Sequence, residues 1–250
     1  MPSYNDRVMV FKSSPMGEAD KLVVFFGRES GKISAIAKSA RKPGSKFGGA
    51  LEIFSYNNVM LGKGRTLDIL SQIETIDSFQ KIRRQPDKLF SGINILKLAN
   101  EFLNERQKNE SLFDLLLNVF FLLKETSDAK AIENIFQIKL MHLEGFFPIM
   151  NQCVKCSRQV IKKPASVKFS SPLGGILCTN CSKQHFMLKE IAYPLVELAL
   201  LVRDTALNNF DLTLLEKSAQ LEDIFFPYIG YHIGKDLKQL KCRILEGDAA

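Results

Sequence analysis

Two Cys-x2-Cys pairs, Cys153/Cys156 and Cys178/Cys181, lie 21 residues apart and restrict the fold of this chain more than any other feature. Each pair presents two thiolates from one tight turn, so together they complete a tetrahedral four-sulfur site, and the chain must double back to bring them to one point. The spacing predicts one structural Zn2+ held in a small ribbon. Four cysteines fill every coordination position and leave none for water, which excludes a catalytic metal. A redox-active Cys-x2-Cys needs no second copy. The fifth cysteine, Cys242, stands alone in a helical context and reads as a small core residue.

Around the quartet the hydrophobic period changes once. Residues 7–12, 21–26, 32–38, 52–61 and 66–76 are five β-rich runs separated by short turns and one longer loop. Five short strands in under eighty residues suit a small barrel. An OB-type barrel is the natural candidate, and an SH3-like barrel gives nearly the same pattern. From Pro86 the period becomes helical, to about Glu105, then from about Ser111 to Lys124 and from about Asp128 to Gly145. On the first of these helices Leu89, Ile93, Leu96 and Leu103 form the apolar face. Helical pattern resumes near Met187 and continues toward Leu245. The expected architecture is therefore α+β and multidomain: a five-stranded OB-type barrel over 1–80, a helical domain over 81–150 and 188–250, and a four-cysteine zinc ribbon over 151–187 inserted between its halves.

The formal charge of +7 is unevenly spread. Residues 1–84 carry 14 Lys and Arg against 8 Asp and Glu, and residues 151–189 carry 7 against none, whereas the segments 85–150 and 190–250 are acidic. Two basic blocks favour a polyanionic partner. In the ribbon, Lys155, Arg158, Lys162, Lys163, Lys168 and Lys183 partly compensate a zinc-tetrathiolate cluster of charge −2, and the segment remains basic beyond that. In the first block the stretch from Gly31 to Gly49 is an alternating strand that runs into a glycine-punctuated loop with Lys38, Arg41, Lys42 and Lys46 and no carboxylate of its own. These four are candidate phosphate contacts, and Lys63 and Arg65, in the turn before the fifth strand, are counted with them. Phe47 offers a flat face for stacking an unpaired base. It reads equally as a staple that packs the loop onto the barrel.

Catalytic signals are weak. Gly27-Arg-Glu-Ser-Gly31-Lys32-Ile33 has three residues between its glycines where a Walker A loop has four, and Ile33 stands where the Mg2+-binding hydroxyl belongs. His142, His185 and His232 are dispersed. The chain reads as non-enzymatic, and a metal-dependent hydrolase would need an open coordination position. The most apolar stretch, 112–123, is too short to span a membrane. The N-terminus shows no charged start followed by an apolar run, so a cytoplasmic protein is expected, with its thiols kept reduced. Taken alone, the barrel and ribbon also permit an RNA-binding protein of translation or RNA processing.

In chain order, Gly17-Glu18-Ala19-Asp20-Lys21-Leu22, Gly31-Lys32-Ile33-Ser34-Ala35, Ala40-Arg41-Lys42, Phe47-Gly48-Gly49-Ala50-Leu51 and Leu143-Glu144-Gly145-Phe146 resemble the motifs of the bacterial recombination mediator family RecO. The resemblance covers residues 1 to about 190, and the last 60 match only as apolar helix. It implies an N-terminal OB barrel, a helical domain and a zinc ribbon. It further implies a nucleoid-associated protein that binds single- and double-stranded DNA and anneals complementary strands. Such a protein works with RecR, engages the acidic C-terminal tail of single-strand-binding protein, and helps load recombinase, with no nucleotide hydrolysis and no small-molecule substrate. The basic loop residues Lys38, Arg41, Lys42 and Lys46 match the family, as do the four cysteines, which some members lack.

Overall fold

The computed structural model describes residues 2–160, 164–207 and 219–237. Cys242, Lys162, Lys163 and the expected continuation of helix toward Leu245 lie outside the described residues.

Five strands close into a barrel in the order β1-β2-β3-β5-β4: β1 (Ser3–Met16), β2 (Asp20–Gly27), β3 (Gly31–Ala37), β4 (Tyr56–Gly62) and β5 (Asp68–Asp77). Every neighbouring pair is antiparallel except β3 with β5, where Ala35 faces Asp68 and Ile36 faces Ile69. Pairing of β1 with β4, Val8 opposite Asn57, completes the circuit. This is the OB-type barrel, and the SH3-like reading falls away. Strict alternation in β3 sends Ile33, Ala35 and Ala37 inward to join Val8, Val10, Val23, Phe25, Val59, Leu61 and Leu70 in the barrel core. The run Val23-Val24-Phe25-Phe26 does not alternate because β2 is covered on both sides. Phe25 fills the barrel, while Phe26 meets Phe11 and Phe113 edge-on at 5.6 and 5.5 Å.

Phe113 belongs to α3 (Glu110–Glu125), which follows α1 (Gln80–Arg83) and α2 (Pro86–Asn100). These helices and the barrel make one compact unit, residues 1–124. Phe54 and Phe79 are both fully buried with left-handed backbones, φ of 77° and 47°, and their rings pack on Phe120. Aromatic packing holds a conformation that neither side chain favours. Two boundaries differ from expectation. Residues 52–55 do not extend β4, because a 3-10 turn (Gly48–Leu51) and left-handed Phe54 carry the chain around a corner. Helix α2 stops at Asn100, well before Glu105, because the following segment is drawn onto the barrel. There Arg106 N–H donates to Lys32 O (2.8 Å), and Glu105 forms a bridge with Lys32. The segment passes so close that a Cβ on Gly31 would sit 2.1 Å from Gln107 O, and φ there is 70°, so only glycine fits. The buried face of α2 is also rotated from the one expected: Ile95, Leu96, Leu98 and Ala99 are buried, and Leu89 and Ile93 only half-buried.

The second compact unit begins at Glu125. Its α4 (Ala129–Leu143) is capped by the Asp128 carboxylate, which accepts from Ala131 N–H at 2.9 Å. Strands β6 (Ser166–Ser170), β7 (Gly175–Leu177) and β8 (Lys189–Ala192) form a small sheet in the order β7-β6-β8, and the one-turn helix α5 (Thr179–Ser182) lies between β7 and β8. Helix does not resume at Met187. Lys189–Ala192 pairs with β6, and only then does α6 (Tyr193–Asp204) begin, followed by α7 (Ala219–Ile233). Helix α4 packs against both α6 and α7, and Tyr228 of α7 joins the sheet to the helices. Its ring lies edge-on to Phe169, and its hydroxyl donates to Phe146 O at 2.9 Å.

The closing β3/β5 seam rests on Asp68. Its fully buried carboxylate accepts from Tyr4 hydroxyl (2.5 Å), Gly64 N–H (2.9 Å) and the Arg106 guanidinium (3.0 and 3.3 Å). Burial alone would raise its pKa, but Arg106, Tyr4 and the Gly64 amide together outweigh burial and hold the carboxyl below its ordinary range. A depressed acid contributes stability above its unfolded pKa that is lost as pH falls through the folded one. Arg106→Ala is therefore expected to cost about 2 to 3 kcal/mol at neutral pH, below the full loss for a wholly buried pair because Arg106 is 41% exposed. The deficit should shrink in acid, where Asp68 is protonated in both proteins. Denaturant titration at several pH values checks this, and equal stability at pH 7 would show that Tyr4 and Gly64 suffice.

Candidate nucleic-acid interface and metal centre

The basic loop leaves β3 after Ala37 and is held from below by the turn between β1 and β2. Ser39, left-handed at φ 58°, donates its N–H to the Asp20 carboxylate at 2.7 Å. Arg41 is bound twice to the same turn, through its N–H to Ala19 O and its guanidinium to Gly17 O, both 2.9 Å. Two motifs some twenty residues apart in sequence thus form one surface feature. Inside the loop, Lys42 N–H donates to Ser39 O and Ser45 N–H to Lys42 O, and Gly44 takes φ of 75°. Asp20 brings a carboxylate to the base of the loop, but it is spent on a backbone amide and not on the loop cations.

The candidate cations fall into two groups. Lys38, Lys42, Lys63 and Arg65 are exposed, and none forms an ion pair or side-chain hydrogen bond among the described residues. Arg41 and Lys46 are exposed but tethered; Lys46 Nζ donates to Ser71 O at 2.7 Å and lies 5.3 Å from the centre of the Phe47 ring. Lys63 and Arg65 sit on the turn that enters β5, which Gly64 N–H ties to Asp68. The loop and this turn flank the β3/β5 seam. Phe47 is a correction. It is 3% exposed and belongs to the barrel core beside Leu51 and Val59, so its ring has no free face for a base. It is the staple that seats the loop.

The Gly27–Gly31 turn is closed to phosphate. The buried Asp6 carboxylate accepts from Glu29 N–H (3.2 Å), Ser30 N–H (2.9 Å) and Ser30 hydroxyl (2.5 Å), the groups a phosphate would use. Arg28 makes a bidentate pair with Asp114 at 3.1 and 2.9 Å, and Lys108 bonds Glu29 at 2.6 Å.

In the second unit Cys153, Cys156, Cys178 and Cys181 converge, with their sulfurs all within 4.8 Å of one another. Sγ of Cys156 and Cys178 are 3.8 Å apart, the edge expected of a tetrahedron with metal–sulfur bonds of about 2.3 Å. Each knuckle is a tight turn: Ser157 N–H donates to Cys153 O with Ser157 left-handed, and Ser182 N–H donates to Cys178 O. Burial would raise the Cys153 thiol, but amide N–H groups of Cys178, Cys156 and Lys155 outweigh it and bring it down to about 6. The Cys181 thiol donates to the neighbouring cysteine sulfurs, which pushes it up to about 12. Four anions so close are not stable without a cation, and the donor set suits a thiophilic dication such as Zn2+.

A family model for the N-terminal part of recombination protein O matches residues 1–79, and one for its C-terminal part matches residues 83–241. The DNA repair protein RecO of Symbiobacterium thermophilum is 34% identical over 185 residues, 74% of this chain and 73% of that protein. Those of Caldicellulosiruptor saccharolyticus and Shouchella clausii are 30% and 31% identical, over 93% and 92% of this chain and 94% and 90% of their own lengths.

Proposed function

From the premise that this chain belongs to the RecO family of DNA repair proteins, we propose that it is a non-enzymatic DNA-binding mediator of recombinational repair. It binds single- and double-stranded DNA through the barrel, anneals complementary strands, and helps load recombinase onto strands coated by single-strand-binding protein. The observation that carries this reading is the set of exposed cations Lys38, Lys42, Lys63 and Arg65, unpaired among the described residues, on either side of the barrel seam. Cations held on a rigid barrel neutralise phosphates while leaving base edges free, which lets two screened strands pair. RecR and the acidic tail of single-strand-binding protein are the partners that the family suggests, and the cytoplasm, at the nucleoid, is the place. Among the described residues no helix is long and apolar enough to cross a membrane. The occupation of the Gly27–Gly31 turn by Asp6 supports the absence of nucleotide hydrolysis.

The quadruple change Lys38→Ala, Lys42→Ala, Lys63→Ala, Arg65→Ala is expected to flatten the log-log salt dependence of single-strand binding by about 2 to 3, near 0.7 per lost phosphate contact. Sequence preference should stay as it was. Wild-type affinity and slope in the variant would remove the barrel surface from consideration.

The ribbon holds one structural Zn2+ on Cys153, Cys156, Cys178 and Cys181, and there it supplies folding free energy and no chemistry of its own. Elemental analysis should find one zinc per chain in protein purified without chelator, and Cys153→Ser should lose it and open residues 151–189 to protease. A metal-free wild type with all its thiols titratable would falsify the site.

A further inference from the structure

Phe186 and Met187 are consecutive and almost wholly in solvent, 91% and 96% exposed; among the described residues the next most exposed large apolar side chain is Tyr231 at 56%. Isolated apolar residues are ordinary on a surface, but two adjacent ones this bare have no partner among the described residues of their own unit. They form the tip of the segment 183–188, whose ends are both fixed. At one end Gln184 N–H donates to Cys181 O and His185 N–H to Ser182 O, anchoring the segment to the four-cysteine centre. At the other, Lys189 enters β8 opposite Phe169. Met187 is left-handed at φ 59° without being glycine, a conformation that costs free energy.

Along the chain the charge flanking the tip is of one sign up to Lys189, whose ammonium meets the backbone carbonyl of Asp223 in α7. Residues 151–189 contain no Asp or Glu, and Lys155, Arg158 and Lys183 are exposed without an ion pair among the described residues. The next acid along the chain, Glu190, is taken up by Lys168 at 2.8 Å and by the Ser166 hydroxyl. A flat aromatic ring beside a flexible thioether, on a segment anchored to the four-cysteine centre whose two converging turns carry Lys155, Arg158 and Lys183, matches the stacked bases and flanking phosphates of a nucleic-acid strand.

We propose that Phe186 and Met187 are a second DNA contact, in which Phe186 stacks on an unpaired base, Met187 packs beside it, and Lys155, Arg158 and Lys183 face the phosphates. This rests on the DNA-binding reading above and adds a site on the ribbon to the one on the barrel. A convex, fully exposed pair inserts between bases without needing a groove to receive a peptide, so a strand is favoured over an acidic protein segment.

The chain contains no tryptophan, so Phe186→Trp places a single indole reporter at the tip. With a labelled oligothymidine, binding is followed by anisotropy and stacking by indole quenching in the same titration. Quenching that saturates together with binding is expected. Phe186→Ala with Met187→Ala should weaken single-strand binding by about 5- to 100-fold with no change in salt slope. The exposure of both side chains predicts unchanged circular dichroism and metal content. Normal binding without quenching, and with the double variant at wild-type affinity, would overturn the tip contact and leave the barrel interface standing. Quenching by an acidic peptide ending in an apolar residue, but not by DNA, would overturn it in favour of a protein dock. Failure of the wild-type chain to bind the oligonucleotide at all would overturn both.

Discussion

The first unit depends on one buried carboxylate. Asp68 lies where β5 enters the barrel beside β3, and its acceptor positions are shared among Tyr4 from β1, the Gly64 amide from the preceding turn, and Arg106 from the segment after α2. An ionised carboxylate in an apolar barrel wall is costly unless its lone pairs are met, and here they are met by three separate parts of the chain. The same interaction therefore closes the seam, fixes the turn that carries Lys63 and Arg65, and holds the linker over Gly31. A second buried carboxylate, Asp6, does the same for the Gly27–Gly31 turn.

The basic loop is preorganised in a comparable way. Its backbone is tied to the turn at residues 17–20, its far end is seated by Phe47 in the core, and Lys46 is drawn to Ser71. Tethering Arg41 and Lys46 by hydrogen bonds to carbonyls leaves their charge in place while restricting where it sits. Lys38 and Lys42 remain free to follow a phosphate backbone. A rigid scaffold bearing mobile ammonium groups suits binding that is strong, salt-sensitive and indifferent to sequence.

Much of this architecture is legible in the sequence, and the exceptions share a cause. Alternation in β3 and the turn residues around it identify the barrel, and the cysteine spacing locates the metal centre, because both signals are local. The end of α2 is not legible because residues 101–107 have ordinary helical composition, and only pairing of Glu105 and Arg106 with Lys32 draws them away. Strand β8 escapes notice because four residues carry no period and are strands only through β6. Phe47 reads as a stacking ring because aromatic residues beside glycines look exposed, whereas the loop turns it inward. Met187 errs the other way: in sequence it reads as the start of a helix, and only the fold shows it and Phe186 bare. Exposure is a tertiary property, and a single sequence reports it poorly wherever the chain is irregular.

The central claim is that DNA lies on the barrel seam, between the loop after β3 and the turn before β5. Amide hydrogen exchange of the full chain, with and without a saturating single-stranded oligonucleotide, tests it most directly. The account predicts slowed exchange in the segments 38–46 and 63–66 and unchanged exchange in α2 and α3. Protection absent from both segments while the oligonucleotide is demonstrably bound would contradict it.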